Sequence, residues 1–162
     1  MKNALKTTIF DDVVVSTESL EIAEIAEIPI KYRASVPYLR DSSISDDFTS
    51  SGNVVVDVIE YFERTSTPPE FIACIYPNSS CLESKDLQES LEKIKLERAE
   101  FLMAVRRIEF PIEITFVERA HGKLNFTDFK YFQRRSQDFP VRFLGAGQFY
   151  WGHLYWLERI VS

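Results

Sequence analysis

Glycine, cysteine and histidine are scarce in this 162-residue chain, which has five, two and two of them. Residues 1–10 contain no glycine and no arginine. They therefore lack the close-approaching backbone N–H groups with which loops cradle phosphate. Cys74 falls in an apolar run and reads as a small core residue, not a redox group. His121 and His153 stand at no ligand spacing from each other or from Cys74 and Cys81, which argues against zinc. No apolar run approaches the ~18–20 residues of a membrane span, and the start has no signal-peptide pattern. Basic clusters clear of acidic neighbours are also missing, and the net charge is −6. That speaks against a nucleic-acid backbone as partner, while a small anionic ligand needs only a few local donors. The expectation is a cytoplasmic, reduced, soluble protein with no nucleic-acid and no membrane partner.

What is present is core material. Hydrophobic residues make up 45% and aromatics 14%, enough for packing in place of disorder. A single domain over residues 1–162 could bury roughly 70% of its unfolded surface. The run Phe71-Ile72-Ala73-Cys74-Ile75 has no charge and no helical period, as expected of a strand buried on both faces. Tyr76-Pro77 ends it, because proline cannot donate to a sheet ladder. Ser84 then reads as the N-cap of a helix over residues 84–98 that presents Leu87, Leu91 and Ile94. Strand, polar turn and helix follow one another here. In open α/β sheets such turns, at the carboxyl ends of strands, are where ligands bind.

The rest of the chain repeats the alternation. Residues 12–17 read as a buried strand, followed by a helix with Ile22, Ile25 and Ala26 on one face and Pro29 at its end. Residues 30–39 read as an irregular extended segment and 41–52 as a polar loop. Val54, Val55, Val58, Ile59 and Phe62 share a helical face that stops at Pro68-Pro69. Strands are expected at 101–105, at 111–117 and 123–126 around His121-Gly122, and within 143–151, with a terminal helix at 154–160. This pattern predicts an α/β fold with a mostly parallel sheet.

Polar segments recur where strands end or helices begin, and together they resemble one family. Val15-Ser16-Thr17-Glu18 precedes Glu21-Ile22-Ala23-Glu24-Ile25-Ala26. Val36-Pro37-Tyr38-Leu39-Arg40, Ser45-Asp46-Asp47-Phe48-Thr49 and Cys74-Ile75-Tyr76-Pro77-Asn78 follow in order. Arg135-Ser136-Gln137-Asp138 and Gly147-Gln148-Phe149-Tyr150-Trp151-Gly152 complete the set. In order and spacing these segments resemble the acylneuraminate cytidylyltransferases, the CMP-sialic acid synthetases, and most of all the branch that activates pseudaminic acid.

The resemblance implies a three-layer, Rossmann-like, GT-A-like nucleotidyltransferase sheet and transfer of CMP from CTP to a nine-carbon acid sugar. It implies Mg²⁺ to neutralise phosphate charge. It assigns the nucleotide to Ser16, Thr17, Arg40, Thr49, Ser51, Tyr76, Pro77 and Asn78. Arg40 and the hydroxyls are donors suited to a pyrimidine, ribose or phosphate. The sugar falls to Arg135, Gln137, Gln148 and Tyr150, the arginine offering a planar fork for a carboxylate. A homodimer is an open expectation.

Departures from the family pattern qualify this. The family's first strand with its glycine-containing basic loop, and the later segment with a metal-holding aspartate, have no counterpart in this sequence. Asn78 replaces a threonine, Ser80 a proline and Glu18 an aspartate. No catalytic residue and no metal ligand is therefore assigned. The expectation is a chain weak or inactive alone, with a non-catalytic truncated paralogue or partner subunit as the alternative. Without that first strand, the neighbouring strands would have to close up differently or borrow a partner.

Overall fold

The computed structural model describes residues 2–27 and 34–154. It divides into two compact units, a larger one of residues 1–103 and 148–162 and a smaller one of residues 104–147.

In the larger unit, helix α1 (Lys2–Lys6) leads to strand β1 (Val13–Val14), helix α2 (Leu20–Glu27) and strand β2 (Ala34–Ser35). Helix α3 (Ser51–Thr65), strand β3 (Phe71–Ile75) and helix α4 (Ser84–Glu97) follow. Strands β4 (Phe101–Ile108) and β7 (Arg142–His153) bring chain into it from either end of the smaller unit. β1 and β2 pair in parallel as a separate two-stranded sheet, and the other sheet has the order β3-β7-β4.

The α/β reading holds, with one difference in strand direction. β7 runs antiparallel to β3, Phe71 opposite His153 and Ile75 opposite Phe149, so this pairing departs from the mostly parallel sheet that was expected. The chain reaches β7 from β4 through the smaller unit, which contains no long helix among the described residues. A connection of that kind need not return the strand parallel, as a helical crossover does.

Packing follows the expected periodicity in α3. Val55 and Ile59 are buried and form a core with Tyr150, against Ile72, Cys74, Tyr76 and Phe101. In α4, Leu87 and Ile94 are fully buried. Trp151, also fully buried, donates its indole N–H to Ser90 Oγ at 2.8 Å and stacks on Phe10 at 5.4 Å. A buried Trp N–H needs such a partner. The cap of α4 differs from expectation. Glu83 is the N-cap, in a reciprocal box with Asp86, and Ser84 is the first helical residue, its hydroxyl donating to Asn3 O at 2.8 Å. α2 also differs: Ala23 and Ala26 are buried while Ile22 and Ile25 are more than half exposed. Small side chains let that face approach its neighbours closely, and this outweighs the larger hydrophobes. Pro29 and most of the predicted terminal helix lie outside the described residues.

In the smaller unit, β5 (Phe116–Glu118) and β6 (Leu124–Phe126) form an antiparallel ribbon, shorter than expected because residues Ile112–Ile114 make a 3₁₀ turn. His121 and Gly122 both have positive φ at its tip. Phe116, Phe126, Phe129 and Phe132 form a ring cluster with centroids 4.4–5.6 Å apart. Among the described residues no helix is long and apolar enough to cross a membrane.

Candidate functional site

The larger unit holds all eight residues expected on the nucleotide side, and one group of them lies around Arg40. Thr17, buried, follows β1. Its carbonyl accepts the Arg40 N–H at 2.8 Å, and its hydroxyl oxygen accepts the Ser19 N–H at 3.1 Å. Arg40 Nε donates to Ser45 Oγ at 3.0 Å, and Nη2 donates to Glu18 Oε2. The Ser16 hydroxyl is buried and has no hydrogen-bond partner among the described residues. Buried polar groups of that kind are uncommon and mark places where a further partner fits. The segment bearing Arg40 is pinned to α3 by Tyr38, whose hydroxyl donates to Asp57 Oδ2 at 2.6 Å and whose ring lies 4.9 Å from Tyr61. Burial, then the Asp57 hydrogen bond, push the Tyr38 pKa far up, so it remains a donor.

A second group lies at the end of β3. Ser50 caps α3 by accepting the Asn53 N–H, which frees the Ser51 hydroxyl to meet Tyr76 Oη at 2.8 Å. Tyr76 N–H donates to Gln148 O at 2.9 Å, and Ser79 Oγ donates to the same carbonyl. Strand β7 thereby holds the turn of Pro77 and Asn78, which Ser79 N–H to Tyr76 O closes at 3.1 Å. The Tyr150 ring sits 6.1 Å from that of Tyr76. Burial, reinforced by Cys74, raises the Tyr150 pKa far above its usual value, so this phenol too is a donor and not a base.

A cleft of about 220 Å³ opens beside the turn, with Lys2, Asn3 and Ala4 on one side and Tyr76, Pro77, Ser79 and Ser80 on the other. Helix α1 is fastened there by Asn3 Nδ2 donating to Leu82 O and by Ser84. Sequence reasoning matched α1 to the family's first helix and assigned it no ligand role. Lys2 and Asn3 carry no motif, and only the fold reveals their position. Thr49 faces inward on its own loop, its N–H and hydroxyl both donating to Asp46 Oδ1 at 2.6 and 2.7 Å.

On the sugar side, Gln148 and Tyr150 belong to the larger unit, whereas Arg135 and Gln137 belong to the smaller. The guanidinium fork of Arg135 is already occupied. Nε and Nη2 donate to the two carboxylate oxygens of Asp138, both at 2.9 Å. That pair is exposed, and exposed pairs contribute at most about 1 kcal/mol, so a competing carboxylate can displace Asp138 cheaply. Asp138 belongs to the same four-residue motif, and reading the motif as a row of ligand groups missed the pairing.

A metal fares less well. Among the described residues no three His, Cys, Asp or Glu side chains gather so as to hold an ion. The Glu18 and Asp46 carboxylates are turned toward Arg40 and Thr49. Their pKa values are lowered, Glu18 chiefly by its own backbone N–H with Arg40 adding to it, and Asp46 by the Thr49 hydroxyl and N–H. Mg²⁺ takes one or two carboxylates plus substrate phosphates, and both of these carboxylates are engaged by neighbouring donors.

The sequence profile of the cytidylyltransferase family matches residues 1–136. The chain belongs to the cytidylyltransferase family. Two pseudaminic acid cytidylyltransferases of Campylobacter jejuni, from serotypes O:2 and O:23/36, are 35% and 33% identical to it over 160 residues. Those alignments cover 98% of this chain and 68% of each relative. A CMP-N,N'-diacetyllegionaminic acid synthase of Legionella pneumophila is 27% identical over 89 residues, covering 55% of this chain and 37% of its own. As a cytidylyltransferase the chain is a nucleotidyltransferase-type enzyme, and the Arg40 and Tyr76 groups lie inside the matched residues.

Proposed function

We propose that this chain, as a single cytidylyltransferase-like domain, serves CMP transfer from CTP to a nine-carbon acid sugar of the pseudaminic type. The observation that carries the reading is the 160-residue likeness to two pseudaminic acid cytidylyltransferases. The sugar hydroxyl attacks the α-phosphorus, the bond to the bridging oxygen breaks, and pyrophosphate leaves. On this reading Arg40, Ser16, Thr17, Thr49 and Ser51, with the turn Tyr76-Pro77-Asn78, receive the nucleotide. Arg135 takes the sugar carboxylate by exchange with Asp138, while Gln137, Gln148 and Tyr150 hydrogen-bond its hydroxyl and amide groups. Tyr150 acts as a protonated donor. Mg²⁺ accompanies the triphosphate as a family requirement, the cytoplasm supplies CTP, and a homodimer is the working oligomer.

The test is pyrophosphate release from CTP, Mg²⁺ and pseudaminic acid, run beside thermal shift with CTP alone. Release that is weak for this chain alone and depends on both substrates, with UTP a poor replacement, is the expected result. CTP at about 100 times its Kd should stabilise the fold by about 2.7 kcal/mol. Absence of both release and stabilisation overturns the reading in favour of a non-catalytic partner role.

A further inference from the structure

We propose that Glu18 is a positioning residue for nucleotide binding. It holds the Arg40 guanidinium in the orientation in which its outer edge meets the ligand. The inference rests on the nucleotide reading of Arg40 given above.

An arginine has five side-chain N–H donors in one plane. For Arg40, one from Nε goes to Ser45 Oγ and one from Nη2 goes to Glu18 Oε2. Ser45 spends its own proton on Asp41 O at 2.7 Å, so toward Arg40 it can only accept. The backbone N–H of Arg40 is tied to Thr17 O. These three anchors fix the start of the side chain, the Nε edge and the tilt of the plane. Both N–H groups of Nη1 and the second of Nη2 carry no protein hydrogen bond among the described residues. One from each nitrogen forms an end-on fork, suited to a pair of acceptors on a base or a phosphate.

Burial supports a directed arginine over a surface ion pair. The Arg40 side chain is 18% exposed and that of Glu18 is 50% exposed, so the guanidinium is the more sheltered partner of the pair. An independent feature lies one residue from Thr17, where the buried Ser16 hydroxyl has no partner among the described residues. A ligand engaged by the Arg40 fork brings acceptors to the segment where that hydroxyl sits. Glu18 is negative and would by charge alone repel a triphosphate. Orientation and repulsion therefore predict opposite signs when Glu18 is removed.

The experiment measures CTP affinity by isothermal titration of the full chain for Glu18→Ala, Glu18→Asp and Arg40→Ala. Melting temperature and the Arg40 Nε–H signal in ¹⁵N NMR are followed alongside. Glu18→Ala should weaken CTP about five- to tenfold, within the range of a charge-assisted hydrogen bond. Melting should barely move, because a half-exposed pair contributes little to stability. The Arg40 Nε–H signal should broaden, Glu18→Asp should restore most of the affinity, and Arg40→Ala should lose more than Glu18→Ala. Unchanged or tighter CTP binding by Glu18→Ala beside a damaged Arg40→Ala overturns the positioning role alone. Unchanged binding by Arg40→Ala overturns the nucleotide reading of that residue. A sharp Arg40 Nε–H signal in Glu18→Ala overturns positioning whatever Arg40 binds.

Discussion

The two units of this chain solve the burial problem differently. All the buried residues among those described fall in the larger unit, where α3, α4 and the β3-β7-β4 sheet close on Ile59, Leu87, Ile94 and Trp151. The smaller unit buries none, although residues 104–147 contain seven phenylalanines. Its rings touch one another, yet Phe129 remains 70% exposed. Charge divides along the same line. Residues 104–147 hold eight Lys/Arg against five Asp/Glu, whereas the rest of the chain holds eleven against twenty. An isolated two-stranded ribbon is marginal in water, so the smaller unit depends on local turns, ring pairs and ion pairs. Hydrophobic content alone does not make a core. The elements must be long enough to present a continuous face, and a ribbon of two three-residue strands is not.

Substitutions can break this comparison or sharpen it. The largest effect is expected at Trp151→Ala, which should cost about 3–5 kcal/mol through lost burial and the lost hydrogen bond to Ser90 Oγ. Phe129→Ala should change stability by less than about 0.5 kcal/mol. Denaturant midpoints of the two variants decide the matter, and equal losses would break the contrast. A smaller effect is expected at Ser50→Ala, about 1 kcal/mol from the lost cap of α3, read in the same way.

The smallest effect is a pH effect at two carboxylates of the smaller unit. Hydrogen bonding from Arg142 lowers the Glu113 pKa below its ordinary value, and the Lys130 side chain does the same for Asp128. Both groups have folded pKa values below their unfolded ones. Their stabilisation is therefore fully present above those ordinary values and is lost as pH falls through the folded ones. Ring resonances of Phe126 and Phe129 should shift between pH 5 and pH 2.5 while those of Trp151 hold. Glu113→Gln should remove part of the shift, and simultaneous movement of Trp151 would erase the distinction.

Much of this was legible in the sequence where one period or one residue type decides the outcome. The uncharged run at Phe71–Ile75 is a strand, and the face of Val55 and Ile59 is the buried face of α3. What was hidden depends on partners distant in sequence or on competition between neighbours. In α2 the small alanines are buried and the larger isoleucines exposed, which the apolar period alone does not distinguish. The direction of β7 depends on the path through residues 109–141, whose short turns carry no periodicity. At the candidate site, residue types marked Arg40 as a donor. They did not reveal that Glu18 and Ser45 spend two of its N–H groups, or that Asp138 occupies Arg135.

Strand β3 has one further consequence, in the order of competing reactions. It stands at the end of its sheet, with β7 on one side, and its five residues include no charge and no proline. Edge strands are commonly guarded by such residues. Lys95 places its ammonium 5.7 Å from the Phe71 ring. Capture of that edge within one chain is first order in protein, whereas capture by another chain is second order. Recovery of folded protein after denaturation should therefore fall as refolding concentration rises, and dilution should restore it.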